Sequence, residues 1–511
     1  MNFPIEFSSE IFKEPSENIN VEFKKSENKL PGAFWETYSS FANTDGGIIV
    51  LGVNEIKKRT YRITGVKNPE EVIKSFWNQI SDKKLISHNL LTKDDVIILK
   101  FKGKSLIEFH IPKASFSARP VYYKNRNNTY VRTDDGDRVA TPEQFKYMVV
   151  DSNQYIDTEL LDNYDFNDID ENSVNEYKRL YAQNKKAPEV LKENNYQFLK
   201  DIGVFRRNRQ SQGKEWKLTV GGLLFFGQYN AIVERFPGFQ VDYIKKKTSN
   251  SLEWIDRVSI GDMNFDNLNI FSFYQLVEKK IPNGIPDMYQ QDENLTRGSY
   301  YSDLRDSVKE ALVNSLMHAY YDSDRPIKIT DYNEYFEFYN PGEMRVTEEQ
   351  FFHGSISRTR NAVIANLFRR VGIAEKEAKG GITIADTAIN HNLRPPEINS
   401  TIDSTSMRIW KINLKSSMHG LNTVEEMIVQ VGIEKGVFKI PETVKIIQQK
   451  DTKLSEYKIR QGFQSLEDKS FIIKHGKGRA TYYLINQSEE AGKFGVLKMI
   501  KSVEDQWLDR K

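Results

Sequence analysis

The sequence predicts a multidomain α+β protein, and three observations carry that expectation. The chain has 511 residues, whereas a single hydrophobic core stops growing at roughly 250–300 residues, so several domains are expected. Strand-like and helix-like apolar patterns follow one another within the first 150 residues and again after residue 230. Between them lies a polar, acid-rich stretch, DNYDFNDIDENS, at 162–173. The expected boundaries are 1–150 for an N-terminal α+β domain, 151–230 for an acidic linker with helical segments and 231–416 for a two-layer α/β sandwich. A helical domain with a hairpin at 417–495 and a charged tail at 496–511 follow.

Composition narrows the functional classes. Hydrophobic residues make up 39% and charged residues 28%, with a mean hydropathy of −0.60, which suits real cores under a soluble surface. The 73 basic and 71 acidic residues leave a net charge of +2, so any nucleic-acid contact must come from local patches. There is no cysteine, which excludes disulfides, thiolate metal sites and a cysteine nucleophile. The start MNFPIEFSSEIFKEP lacks a signal-peptide pattern, and no apolar run approaches the ~20 residues of a spanning helix. The expectation is a cytoplasmic protein with no membrane segment.

In the N-terminal region INVEFKK reads as a strand, LPGAFWETYSSFANT as a helix and TDGG as the glycine turn that stops it. IIVLGV then reads as a buried β-branched strand. DVIILKFKG, LIEFHIP, PVYYKN and TYVRT are further strands, and TPEQFKYMVV is a closing helix. The runs ENINVEFKK and FANTDGGIIVLGVNE, with YVRTDDGDRVATPEQF, resemble the Schlafen AlbA-type domain. In nuclease-active members of that family, glutamates of the first strand region and an acidic residue after the glycine-valine strand hold a divalent metal. The resemblance puts those roles on Glu17, Glu22 and Glu55. Three converging carboxylates would hold Mg²⁺ or Mn²⁺ against a scissile phosphate and acidify a bound water. With 71 acidic residues in the chain, two glutamates five apart are equally read as a charged strand end. Lys24, Lys25, Arg132 and Arg138 are candidate phosphate contacts, or solvated charges.

In the middle region YSDLRDSVKEALVNSLMHAYY is an amphipathic helix, and IKITDY and YFEFYNPG are strands. Glu310, Asn314 and His318 are spaced four apart and therefore share one helix face. An asparagine oxygen suits Mg²⁺ that also touches nucleotide phosphates, and a glutamate one turn earlier can orient or deprotonate a water. His318 could bond a phosphate or a neighbouring turn. EALVNSLMHAYY, EFYNPGEM and GSISRTRNAVIANLFRRVGIAEKEAKGGI together resemble the GHKL-type ATP-binding module that accompanies Schlafen AlbA domains. The resemblance implies ATP as ligand, with Asn314 on Mg²⁺, Asn340 and Gly342 at adenine, and Gly380 and Gly381 cradling phosphate. Asn340 stands where the wider superfamily has aspartate, so an ionised acceptor is lost. No GxxxxGK[ST] loop occurs in the chain, which disfavours a motor helicase.

From 422 onward, EEMIVQVG, PETVKIIQQK and SEYKIRQGFQSLEDKS read as helices, and FIIKHGKGRATYYLI as a hairpin, the order of a winged helix. Lys458, Gln461 and Gln464 lie away from the Ile459, Phe463 and Leu466 stripe and could reach base edges, while Lys474, Lys477 and Arg479 form a basic wing. Winged helices also dimerise or bind proteins, so the wing is not by itself a DNA signature. The basic runs at 206–210 and 245–247 could extend a nucleic-acid track or be solvated faces.

The expected function is an ATP-binding, nucleic-acid-binding regulator, in the simplest case transcriptional, whose ATP module controls its grip on DNA or RNA. The competing expectation is a metal-dependent RNase or DNase in antiphage defence, gated by ATP; a nucleotide-gated scaffold is the third. The family resemblance implies a homodimer or a higher homo-oligomer.

Overall fold

The computed structural model describes residues 20–485 apart from short internal stretches, the longest being 286–296 and 413–420. The chain forms two units, Met1–Gln154 and Tyr155–Lys511.

The first unit runs β1 (Val21–Lys24), α1 (Phe34–Asn43), β2 (Gly47–Leu51), the hairpin β3 (Val53–Lys57) and β4 (Thr60–Ile63), α2 (Pro69–Ile80), β5 (Val96–Phe101) and β6 (Lys104–Ile111). It ends in the hairpin β7 (Tyr130–Thr133) and β8 (Gly136–Val139) and α3 (Pro142–Asp151). The sheet order is β1-β2-β6-β5. β1 and β2 pair in parallel, which α1 makes possible as the crossover between them. The glycine turn after α1 is needed for contact: Gly46 has φ +79°, and a Cβ there would meet the Ile111 carbonyl at 2.8 Å. Phe34, Phe76 and Phe109 pack edge to face beneath the helices. Asn43 is fully buried. Its amide donates to the Val121 and Tyr130 carbonyls at 2.7 and 2.9 Å and its oxygen accepts from Val121 N at 2.8 Å, so the FANT asparagine ties α1 to β7.

The second unit opens with α4 (Glu171–Lys185), α5 (Asn195–Asp201), β9 (Phe205–Arg207), β10 (Trp216–Leu218), α6 (Val220–Phe226) and α7 (Tyr229–Arg235). This is the stretch expected as a linker, and the structure corrects that expectation. Val174, Tyr177, Phe225 and Phe226 belong to the same hydrophobic core as the sheet that follows, and the Tyr177 hydroxyl donates to the Leu367 carbonyl at 2.7 Å. The acidic residues are helix caps: Asp170 accepts from Asn172 N and Ser173 N, and Asp165 caps a 3₁₀ turn. Aspartates at helix starts satisfy otherwise orphaned N–H groups, which is why an acid-rich composition here marks ordered helix ends.

There follow β11 (Val241–Lys245), β12 (Asp256–Ser259), α8 (Ile270–Lys280), α9 (Arg297–His318), β13 (Ile327–Asp331), β14 (Tyr335–Pro341), α10 (Glu348–His353), α11 (Ala362–Arg370), α12 (Gly380–Asn390), β15 (Glu397–Ser400) and β16 (Ser404–Trp410). The six strands form one sheet in the order β12-β11-β13-β14-β16-β15, with β11 and β13 parallel and the other pairs antiparallel. Along β14, Phe336, Phe338 and Asn340 are buried while Tyr335, Glu337 and Tyr339 are half-buried. That alternation marks a sheet with one face on the core, and α9 lies on that face. Where β16 ends, Lys411 is buried with Asp331 as its ion-pair partner.

The chain then forms α13 (Thr423–Lys435), β17 (Val437–Phe438), α14 (Ile440–Lys450), α15 (Glu456–Asp468), β18 (Ile472–His475) and β19 (Tyr482–Ile485). Their core is built on Ile428, Ile447, Ile459, Phe463 and Tyr483. The hairpin expectation holds, and β17 adds a third strand against β19.

Candidate functional site

The site forms because α9 has two faces. Leu312, Val313 and Leu316 are buried in the core, and the interrupting polar positions Glu310, Asn314 and His318 all line one cavity of about 110 Å³. Asn314 donates to Glu310 Oε1 at 3.2 Å, so the two residues form a preassembled oxygen-rich pair. Phe338 and Asn340 of β14 and Thr405 and Met407 of β16 line the same cavity, as do Gly380 and Gly381 at the start of α12. The tertiary structure thus gathers two helices and two strands from positions up to 97 residues apart in the chain, Glu310 to Met407.

Gly342 is not among the residues that line the cavity. It has φ +98°, and a Cβ there would meet the Arg360 guanidinium at 2.9 Å. Gly342 N donates to the Asp403 carbonyl at 2.8 Å, and its own carbonyl accepts from Thr405 Oγ1 at 2.8 Å. Its contribution is to let the chain turn against buried Arg360, which bonds the carbonyls of His318 and Glu343 at 2.9 and 2.8 Å. Gly380 and Gly381 are likewise needed for close packing. A Cβ on Gly380 would sit 2.0 Å from Glu310 Oε1, and one on Gly381 would sit 2.0 Å from the Phe351 carbonyl.

Reading the motifs of the middle region assigned no role to arginine, yet Arg345, Arg358 and Arg369 line this cavity. Arg345 stands directly after the run EFYNPGEM, and Arg358 and Arg369 lie in RTR and FRR, but arginine at these spacings has no periodicity that separates a cavity wall from a solvated surface. Burial, followed by the charges of Arg345 and Arg369, lowers the His318 pKa to about 4, so the imidazole is neutral near pH 7.

The donor set fits a magnesium nucleotide. The amide oxygen of Asn314 is a hard oxygen donor for Mg²⁺, the Glu310 carboxylate beside it could orient a water, the arginines suit phosphate, and Phe338 and Met407 offer an apolar surface for a base.

The N-terminal candidates are arranged differently. Glu22 is bound by Lys24 at 3.1 Å and by Arg132 at 3.0 Å. Arg132 also pairs with Asp137 at 2.9 Å and stacks over the Phe41 ring. Its side chain is 2% exposed, so this arginine is an internal strut and not an open phosphate contact; Lys24 is drawn into the same network. Lys25 is exposed beside Glu27, Arg138 is exposed on β8 and Glu55 is exposed on β3. Glu17 lies outside the described residues. Among the described residues no cluster of three or more His, Asp or Glu side chains has the arrangement to hold a metal ion.

In the C-terminal helices Lys458, Gln461 and Gln464 are exposed on α15 while Ile459, Phe463 and Leu466 are buried. Gln461 donates to the Tyr457 hydroxyl at 2.9 Å, and Tyr457, 69% exposed, extends that polar face. Lys474 is exposed on β18; Lys477 and Arg479 lie outside the described residues.

These features define a multidomain α/β protein with a polar, cation-walled cavity between a helix and a mixed sheet. Residues 17–141 match the family "Schlafen, AlbA_2", and residues 324–409 match the family "Putative ATP-dependent DNA helicase recG C-terminal". Residues 146–242, spanning the helices corrected above, match a "Domain of unknown function (DUF8451)". No match was found among curated proteins. Among solved structures, the DIP2311 protein of Corynebacterium diphtheriae is 14% identical, with 96% of this chain and 98% of that one covered and a TM-score of 0.37. The N-terminal domain of a RecG-related protein of Nitrosomonas europaea, titled a putative ATP-dependent DNA helicase, is 21% identical. It covers 28% of this chain and 91% of its own, with a TM-score of 0.21. Neither likeness reaches the level at which a shared fold follows. Among the described residues no helix is long and apolar enough to cross a membrane.

Proposed function

We propose that this chain is an ATP-binding regulator of nucleic-acid binding, in which nucleotide occupancy of the cavity under α9 controls how the N-terminal Schlafen AlbA_2 domain and the C-terminal helical domain engage DNA or RNA. The observation that carries the reading is the convergence of Glu310, Asn314, His318, Asn340, Gly380 and Gly381 on one cavity. Mg²⁺ would sit with the phosphates at Asn314, and Glu310 is placed to orient a water. The C-terminal order of helix, strand, two helices and two strands supports a winged helix that presents Lys458, Gln461 and Gln464 to a groove. We read the protein as cytoplasmic and as a homodimer or higher homo-oligomer.

The Glu22 to Arg132 pair favours binding over nuclease chemistry, because a carboxylate already neutralised by two cations is a poor metal ligand. The deciding experiment incubates the full chain with tRNA, single-stranded DNA and duplex DNA, with Mg²⁺ or Mn²⁺, with and without ATP, alongside Glu22→Ala. ATP-dependent retention without cleavage supports the regulator. Cleavage that Glu22→Ala abolishes replaces it with a Schlafen-type nuclease.

A further inference from the structure

We infer that the phosphate tail of the nucleotide is received by an arginine wall, Arg345, Arg358 and Arg369, and that this wall, more than the Gly380–Gly381 turn, sets the preference for nucleoside triphosphates. The inference rests on the nucleotide reading above and deepens it.

Three observations point the same way. The glycine turn is already committed, since any atom added at Gly380 or Gly381 runs into Glu310 or the Phe351 backbone. Both glycines are thus held by packing on their Cβ side, which leaves them no side chain with which to count phosphates. Arg345, Arg358 and Arg369 all line the cavity as well, arriving from the segment after β14, the segment before α11 and the end of α11.

The second observation is incomplete pairing. Among the described residues neither Arg358 nor Arg369 has an acidic partner, and the hydrogen bonds from Arg369 to Asn366 and Thr359 are both 3.5 Å long, at the edge of what counts as a bond. The Arg369 Nε is buried without a hydrogen-bond partner among those residues. Buried arginine donors ordinarily find acceptors, and carboxylate or phosphate oxygens match the guanidinium fork.

The third observation is the local field. His318, on the same cavity, is pushed toward its neutral form first by burial and then by the charges of Arg345 and Arg369. Those arginine charges favour a polyanion, and three guanidinium groups nearly offset the charge of a triphosphate. The wall therefore reads the number of phosphates, while Phe338, Asn340 and Met407 face the base.

The test titrates ATP, ADP and adenosine into the full-length protein and into Arg358→Gln and Arg369→Gln, in Mg²⁺ and again in EDTA, with tripolyphosphate as competitor. Both positions retain solvent exposure, and thermal melts compare folding of each variant with the parent. The wild type is expected to bind ATP more tightly than ADP, and ADP more tightly than adenosine, even in EDTA. Each variant should weaken ATP by about tenfold and adenosine by much less, with Arg369→Lys recovering part of the loss. Tripolyphosphate should displace ATP from the wild type but poorly from the variants. Tight ATP binding that the substitutions leave unchanged, or a phosphate preference that vanishes in EDTA, overturns the arginine wall while sparing the nucleotide reading. Failure of the wild type to bind any of the nucleotides or adenosine overturns the nucleotide reading itself.

Discussion

Gly380 is packed so tightly on Glu310 that a single added carbon would stand 2.0 Å from the glutamate Oε1. The start of α12 and the polar face of α9 are thereby held in one geometry. Gly380→Ala is expected to push the Glu310 carboxylate out of line with Asn314. Gly381→Ala meets a backbone carbonyl, that of Phe351, which cannot rotate away. It should destabilise the fold by about 1–3 kcal/mol, in the range of overpacked cores, and by more than Gly380→Ala. Urea denaturation of the two variants checks the order.

Glu310→Ala should remove ATP hydrolysis while leaving ATP binding largely intact, because the carboxylate acts on a water and not on the nucleotide. Asn314→Ala should weaken Mg²⁺-dependent binding itself. Paired measurements of phosphate release and nucleotide affinity separate the two, and equal losses in both variants would mean that each merely damages the Glu310 to Asn314 bond at 3.2 Å.

Arg132→Ala leaves Glu22 and Asp137, both bound to it at about 3 Å, without their shared cation. A loss of about 3–5 kcal/mol is expected, as when one member of a buried ion pair is removed. Arg138→Ala, on an exposed side chain, should leave stability unchanged within about 0.5 kcal/mol. A well-folded Arg132→Ala protein that has lost only nucleic-acid affinity would restore Arg132 as a phosphate contact.

Asp157 accepts from the backbone N–H groups of Val363 and Ile364 at 2.7 and 3.0 Å, capping the helix that carries Arg369. Burial dominates these bonds and raises its pKa from 3.8 to about 6. The folded state therefore holds the proton more tightly than the unfolded chain. The stability this contributes is complete below pH 4 and lost as pH rises through about 6, on the order of 3 kcal/mol. Asp157→Asn keeps an acceptor for the helix but cannot titrate. Its denaturation midpoint should be flatter than that of the wild type between pH 4 and 7; identical slopes would locate the titration elsewhere.

The sequence by itself determined many of the elements outside 151–230 and the polar positions of α9 and α15. The four-residue spacing of Glu310, Asn314 and His318 was legible because helical periodicity is local, and so was the α15 split into buried Ile459, Phe463 and Leu466 and exposed Lys458, Gln461 and Gln464. What only the tertiary structure decided depends on contacts across long separations. Asp170 looked like linker chemistry until its cap was visible, Arg132 looked like a surface charge until Glu22, 110 residues away, was found against it, and the arginines of the cavity wall had no pattern at all. Whether a charge is solvated, paired or aimed into a cavity is set by what other segments place beside it. Local spacing carries no record of that.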